Sequence, residues 1–250
     1  MPQSTSLRNV PLRGMALLRA SARLQAALLL GAGAGWGAYQ AAHHPLHLVW
    51  DLDHTLLLSI TPLDAGQVAT ATAKRAPDTY FDQIDDDFPF TPDVPNTRTC
   101  WRPGAHAALR FCGLFATQHV FTAGQATYCS NIIDRLDPEG SIFATITHRD
   151  MVPHHDYHTA VPVGKDLTRV PQLVEAGALP CRTILFDDRL ANFTPQPRNG
   201  LAVAPYTDVG VPDWELARLC LVAFLALLAP DIRPVLQAFR SREQDAKFPS

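Results

Sequence analysis

Leu46-His47-Leu48-Val49-Trp50-Asp51-Leu52-Asp53 is a short apolar run that stops abruptly in two acids. A run of this kind reads as a buried central strand of a parallel sheet. The polar residues at its end then fall on the carboxyl edge of the sheet, where open α/β folds bind ligands. Two later runs repeat the pattern: Thr117 to Phe121 is followed by Thr122, and Thr183-Ile184-Leu185-Phe186 by Asp187-Asp188.

Helical patterns lie between these runs. One follows Arg102-Pro103-Gly104 and carries Ala107, Leu109, Phe111 and Cys112. A second runs from about Ala126 to Leu136, a short one opens at Lys165-Asp166-Leu167, and a closing pair over 212–240 is broken at Pro230. One more strand is expected at 201–205. The alternation predicts an α/β fold, a doubly wound parallel sheet with helices on both faces. No large cap is expected, only an insertion after the first strand within 59–98. That stretch lacks periodicity, and Asp85-Asp86-Asp87 reads there as a solvated loop. Residues 143–163 read as irregular and rich in histidine.

The chain has 250 residues, 47% of them apolar, enough to bury one full-sized core. A net charge of -3 gives no global basic excess of the kind that nucleic-acid binding uses. The five cysteines are scattered without a CxxC pair, which argues for reduced thiols rather than a disulfide framework or structural zinc.

The first 44 residues form a separate N-terminal segment, the folded domain is expected over 45–240, and 241–250 reads as a polar tail. Residues 1–50 contain no Asp, Glu or Lys, while Arg8, Arg13, Arg19 and Arg23 punctuate a Ser-, Ala- and Leu-rich stretch. That is the composition of a mitochondrial transit peptide. Behind it, Leu24 to Ala42 is uncharged and just long enough to span a bilayer, although Gly31, Gly33, Gly35, Gly37 and Gln40 lower its hydrophobicity. Three readings stand: a cleaved presequence, a presequence followed by a membrane anchor through 24–42, and a disordered tail. The expected location is mitochondrial, including the inner membrane, against another membrane-anchored, cytoplasmic or nuclear one.

The strand ends carry the residues that phosphoryl transfer requires. A phosphate monoester dianion repels nucleophiles, so its hydrolysis needs charge neutralisation, in-line positioning and protonation of the leaving oxygen. Asp51 can attack phosphorus and form an aspartyl-phosphate. Asp53, two residues on along an extended segment, points to the same side and can protonate the leaving group, then deprotonate water. A hard cation, Mg2+, would sit among oxygen ligands, with Asp188 supplying the distal one. Lys165 offers a point charge to the phosphoryl oxygens, and Thr55 and Thr122 add hydroxyl donors.

These residues resemble the haloacid dehalogenase superfamily, and within it the branch of RNA polymerase II C-terminal-domain phosphatases. The small C-terminal-domain phosphatases, Dullard and the Tim50-type translocase subunit belong to the same branch. The resemblance runs from about Leu48 to Pro234. It rests on Val49-Trp50-Asp51-Leu52-Asp53-His54-Thr55-Leu56, Arg102-Pro103-Gly104, Val120-Phe121-Thr122-Ala123, Lys165-Asp166-Leu167, Phe186-Asp187-Asp188 and Gln196-Pro197-x-Asn199-Gly200. It implies Asp51 as nucleophile and Asp53 as acid/base. The metal would be held by the Asp51 carboxylate, the Asp53 backbone carbonyl and Asp188. Lys165 and Thr122 would bind phosphate, with Asp187 orienting Lys165. Tyr128 falls where relatives line an apolar substrate pocket, and reads equally as a packed helix residue. His54 replaces the usual Glu, and Arg189-Leu190 the usual Ser-Pro. That extra cation could repel Mg2+ or contact substrate.

Other signals are weaker. His148, His154, His155 and His158 cluster around Pro153 and read as a loop rather than a zinc site, and His43, His44 and His47 form no ligand pattern. Leu221 to Leu228 is too short to span a bilayer and reads as core helix. Three functions follow: a protein phosphoserine/phosphothreonine phosphatase first, a non-catalytic Tim50-like subunit of the inner-membrane import translocase second, a small-molecule phosphatase third. Retention of Asp53 separates the first from the second, because a binding module has no use for an acid there.

Overall fold

The computed structural model describes residues 35–37, 39–40, 43–60, 84–88, 97–151, 155–156, 161–162, 164–175, 180–208 and 211–249. The chain divides into two compact units, Met1–Tyr39 and Gln40–Ser250. In the first, Trp36 stacks on Tyr39 with ring centroids 5.6 Å apart. Most of the 24–42 stretch lies outside the described residues, among which no helix is long and apolar enough to cross a membrane.

The second unit is built on a parallel five-stranded sheet: β1 Leu46–Trp50, β5 Ala116–Phe121, β6 Phe143–Thr147, β9 Thr183–Asp187 and β10 Gly200–Ala202. Their spatial order is β10-β9-β1-β5-β6. From the centre the chain moves first to one side (β5, β6) and then to the other (β9, β10). The switch point therefore falls at the carboxyl end of β1, beside Asp51. All five residues of β1 are buried, as the unbroken apolar run predicts.

Alternation along the strands feeds two cores. Leu46, Leu48, Trp50, Ile184 and Phe186 face one side. There α1 Ala105–Gly113, α2 Ala126–Leu136 and α4 Glu215–Leu228 bury their apolar stripes. Val49, Phe121 and Leu185 face the other, packed with Leu167, Val170, Leu173 and Phe193. The second layer is thin, made of 3-10 turns at Leu167–Arg169 and Leu190–Phe193 and of the short helix α3 Pro171–Glu175. The doubly wound arrangement with helices on both faces is thus as expected.

Four local expectations change. The 59–98 stretch is not loop throughout. β2 Leu57–Ile60, β3 Ile84–Phe88 and β4 Thr97–Trp101 form an antiparallel sheet in the order β2-β4-β3. Asp85-Asp86-Asp87 lies in β3, an edge strand. Within 143–163, Phe143–Thr147 is an edge strand of the main sheet, and His155–Asp156 (β7) pairs with Val161–Pro162 (β8). The last strand is shorter than 201–205, ending at Ala202.

The closing segment, expected as a polar tail, contains the helix α6 Arg242–Lys247, after α5 Arg233–Phe239. Ser241 caps it by accepting from Gln244 N at 3.1 Å. Gln244 is fully buried, accepts from Ala202 N at 3.1 Å and donates to Gly200 O at 2.8 Å, so its amide covers the free edge of β10. The same carboxamide device ties the core: Trp50 Nε1 donates to Gln118 Oε1 at 3.1 Å, and Gln118 Nε2 to Leu109 O at 2.8 Å. Behind the sheet, Arg182 donates to His44 O and Ala226 O, both at 3.0 Å, closing the carbonyl end of α4.

His47 and His119 stack on neighbouring strands with ring centroids 5.3 Å apart, and His47 Nδ1 lies 3.1 Å from His119 Nε2. One ring donates to the other, so a further proton would place a charge in the sheet interior. Burial, with the neighbouring His47, pushes His119 down to about 4, and burial with the Arg182 charge lowers His47. Unfolded imidazoles take up protons below about pH 6.5. The pair's contribution to stability is therefore complete above that pH and is lost as pH falls toward 4. Thermal unfolding should show wild type losing on the order of 1 kcal/mol per pH unit through this window. His119→Gln should flatten that part of the profile.

Candidate active site

Each strand of the switch point delivers its terminal residue to one place. Asp51 follows β1, and its amide donates to Phe186 O at 3.0 Å on β9. Thr122 follows β5, with its amide on Thr147 O at 2.9 Å. Asp187 closes β9 and Asp188 follows it. Lys165 arrives from the other layer. Gly164 before it has φ of 78°, and a Cβ there would lie 2.6 Å from Pro195 Cδ, so this approach admits only glycine. The Lys165 amide then donates to Asn192 O at 3.0 Å.

The Lys165 ammonium is wholly enclosed, paired with Asp51 Oδ1 and lying 2.6 Å from Asp187 Oδ2. Burial alone would lower its pKa, but Asp187 and Asp51 outweigh it and keep the ammonium charged. Asp187 is saturated: Asn192 Nδ2 donates to both its oxygens at 2.8 and 2.9 Å, and Arg189 N to Oδ1 at 2.8 Å. Its carboxylate thus contacts both the Lys165 ammonium and the Asn192 amide.

The turn after Asp51 is tightly wound. Leu56 N donates to Leu52 O at 2.9 Å and His54 N to Leu57 O at 2.7 Å, with His54 at φ 60°. A left-handed non-glycine residue needs support. Tyr206 N donates to His54 O at 2.7 Å, and Arg102 Nη1 reaches Thr55 O at 3.1 Å and His54 O at 3.3 Å. Arg102 is buried and also contacts Asp213 Oδ2 at 2.8 Å and Ala204 O at 2.8 Å. The arginine of the Arg-Pro-Gly fingerprint is therefore the brace of the Asp51–Asp53 loop. The Gln-Pro-x-Asn-Gly fingerprint is likewise structural: Gln196 Nε2 donates to Asp166 Oδ1 at 2.7 Å and Asn199 Nδ2 to Thr183 O at 2.7 Å.

The expected phosphate donors differ in placement. Thr55 is fully buried, and its hydroxyl donates to Asp51 Oδ2 at 3.4 Å, so it supports the Asp51 carboxylate rather than facing open space. Thr122 Oγ1 accepts from Gly124 N at 3.0 Å. Tyr128, expected as pocket lining or packed helix residue, is buried. Its hydroxyl donates to Asp53 Oδ1 at 2.5 Å and lies 2.7 Å from Ser59 Oγ. Asn192 and Ser59 are new members. Asn192, four residues beyond Asp188, sits where a 3-10 turn brings it back to Asp187. Ser59 follows two leucines in β2, where nothing in the apolar pattern marks it.

The donor set suits a hard cation. Carboxylate oxygens of Asp51, Asp187 and Asp188 lie within 4.8 Å of one another. With Asp187 committed to Lys165 and Asn192, Asp51 and Asp188 are the carboxylates left for a metal. Burial, then the neighbouring carboxylates, raises the pKa of Asp51 well above the usual range, and burial followed by Asp187 raises Asp188. One ammonium does not balance these acids, and a divalent ion bound by oxygens would. Arg189 is exposed and lies near enough to act on Asp188. Among the described residues no other group of three or more candidate ligands is close enough to hold a metal. In the histidine cluster, His154 and His158 lie outside the described residues, and His148 Nδ1 sits 3.6 Å from Asp150 Oδ2.

Among solved structures, the chain is similar to Fcp1, an RNA polymerase II CTD phosphatase, at 21% identity and a TM-score of 0.46, covering 78% of this chain and 52% of that one. A single-residue variant of fission yeast Fcp1 bound to beryllium fluoride matches at 17% identity and a TM-score of 0.48, covering 80% and 56%. A HAD family hydrolase from Deinococcus radiodurans with bound phosphate and sodium matches at 15% and 0.40, covering 75% and 98%. The chain spans about half the length of the Fcp1 chains. The family model of NLI interacting factor-like phosphatases matches residues 46–234, from the start of β1 to the start of α5, and the chain belongs to that family.

Proposed function

We propose that this protein hydrolyses phosphomonoesters in a Mg2+-dependent reaction through an aspartyl-phosphate on Asp51, with phosphoserine or phosphothreonine of a protein as substrate. The observation that carries this reading is the Lys165 ammonium enclosed between Asp51 and Asp187, with Asp188 beside them at the switch point. A buried cation at the nucleophile draws a phosphoryl dianion to it and offsets the repulsion between two anions. The protein-substrate part of the reading rests on the resemblance to C-terminal-domain phosphatases.

In the first step an Asp51 oxygen forms a bond to phosphorus while the bond to the ester oxygen breaks. Asp53 gives its proton to the departing oxygen. In the second, Asp53 takes a proton from water as that water attacks the aspartyl-phosphate, which returns Asp51 as a carboxylate. Lys165 and Thr122 hold the phosphoryl oxygens, Thr55 and Asp187 hold Asp51 and Lys165 in place, and Arg102 keeps the loop wound. Mg2+, held by the carboxylates of Asp51 and Asp188 and the backbone carbonyl of Asp53, would neutralise charge on the phosphoryl group.

The test is hydrolysis of para-nitrophenyl phosphate by the full chain in Mg2+ and in EDTA. Turnover is expected only with the metal, and its absence in both would overturn the reading in favour of a binding subunit. A panel of phosphoserine and phosphothreonine peptides against small metabolite esters then decides the substrate class. Faster turnover of the metabolites would overturn the protein-phosphatase part.

A further inference from the structure

The contact between Tyr128 and Asp53 has no counterpart in the roles given above. Asp53 is half-buried at the mouth of the turn, and its Oδ1 accepts from Tyr128 at 2.5 Å. A phenol has one proton, so with that proton on Asp53 the Ser59 hydroxyl, 2.7 Å away, donates to the phenol oxygen. The order is Ser59 to Tyr128 to Asp53, one hydroxyl chain running from β2 through α2 to the loop after β1.

The chain is held at both ends. Tyr128 lies in the first turn of α2 with Cys129 and Ile132 buried beside it in the main core. Its ring passes over Gly124, where a Cβ would come within 2.6 Å of the ring Cδ1 and 3.2 Å of Thr122 Oγ1. The ring therefore occupies the room a side chain on Gly124 would take. Ser59 is fixed by β2, paired with β4 through Ser59 and Thr99. An aspartate side chain has two free torsions, and a proton donor displaced by about 1 Å loses on the order of a hundredfold in rate.

We infer that Tyr128 and Ser59 are positioning residues for the acid/base Asp53. Tyr128, backed by Ser59, engages Oδ1, so that Oδ2 carries the proton delivered to the leaving oxygen. This rests on the phosphatase reading above and adds to it. Tyr128 acts through Asp53, and the proton that moves is that of Asp53: it passes to the ester oxygen as the P–O bond breaks, and the phenol keeps its own.

The consequence is selective. A leaving group that departs as a stable anion needs little protonation, whereas a basic one depends on a well-placed acid. The experiment measures kcat/KM of full-length wild type, Tyr128→Phe and Ser59→Ala with Mg2+ on ring-substituted phenyl phosphates, alike in size and graded in leaving-group basicity. In Tyr128→Phe the loss is expected to grow along the series, from under about 3-fold for para-nitrophenyl phosphate to about 10- to 100-fold for the most basic phenols. Ser59→Ala should show the same steepening, smaller. A residue that only lines a pocket or supports the fold would shift every ester alike. A uniform loss, or none, with normal wild-type turnover would overturn this inference alone. Absence of metal-dependent turnover by wild type on every ester would overturn the phosphatase reading, and this one with it. If Tyr128→Phe unfolds, Ser59→Ala carries the same comparison.

Discussion

Asp51→Asn is expected to lower kcat for para-nitrophenyl phosphate by roughly 10³-fold or more while leaving the fold intact. Asparagine keeps the shape of the side chain and can accept from Lys165, but its amide is not a nucleophile toward phosphorus. The fold should survive because of the charges around it. Without metal, Asp51 is buried near Asp187, Asp53 and Asp188 with one ammonium to share, and its burial, then Asp187 and Asp53, raise its pKa. Removing one of these charges relieves repulsion, while Lys165 retains Asp187 at 2.6 Å. Thermal unfolding without metal should give the variant a Tm equal to or above that of wild type. Mg2+ should raise the wild-type Tm through binding to the folded state, and raise that of the variant much less. Residual turnover within about tenfold of wild type would remove Asp51 from the nucleophile's place.

The strands that matter most for this site were legible because they lie in the centre of a parallel sheet. β1 and β9 are buried on both faces, so their apolar runs are unbroken and their polar stops mark the sheet edge. The edge elements were not legible for the converse reason. Phe143–Thr147 alternates buried and exposed positions with threonines, and Ile84–Phe88 holds its place by pairing with β4 rather than by an apolar pattern of its own. The docking of α6 depends on one glutamine amide meeting the edge of β10, a contact no periodicity announces, although Ser241 and Gln244 have the spacing of a helix-capping pair.

The site divides in the same way. Asp51, Asp53 and the Asp187-Asp188 pair stand at strand ends and could be read from strand patterns alone. Lys165 could not, because 114 positions separate it from Asp51, and a loop rather than a strand delivers it. Its charge and its order along the chain, together with the resemblance to a family, joined it to the others, not a strand pattern. Neither route reached Asn192 or the Ser59–Tyr128 chain, since hydrogen-bond partners of site residues are set by side-chain geometry after the elements have packed. Tyr128 shows the difference: its place in α2 was readable from the helical pattern, and the direction of its hydroxyl was not.

Lys165→Met should abolish turnover and destabilise the protein together, which sets it apart from Asp51→Asn. Methionine matches the length of the lysine stem and leaves Asp51 and Asp187 buried against each other with no counter-charge. Breaking a buried pair by removing one partner costs about 3–5 kcal/mol, because the remaining charge stays desolvated. For a unit of this size that is a fall in Tm of about 10 °C at neutral pH. Arginine is no substitute, since the ammonium is wholly enclosed and a guanidinium would overfill the space. The double variant Lys165→Met/Asp51→Asn separates the two effects. Removing one of the stranded carboxylates should restore part of the lost stability, so the two changes are strongly non-additive in Tm, while activity remains absent. Additive Tm changes in that cycle would mean that Lys165 and Asp51 do not form the coupled pair on which the charge balance of the site depends.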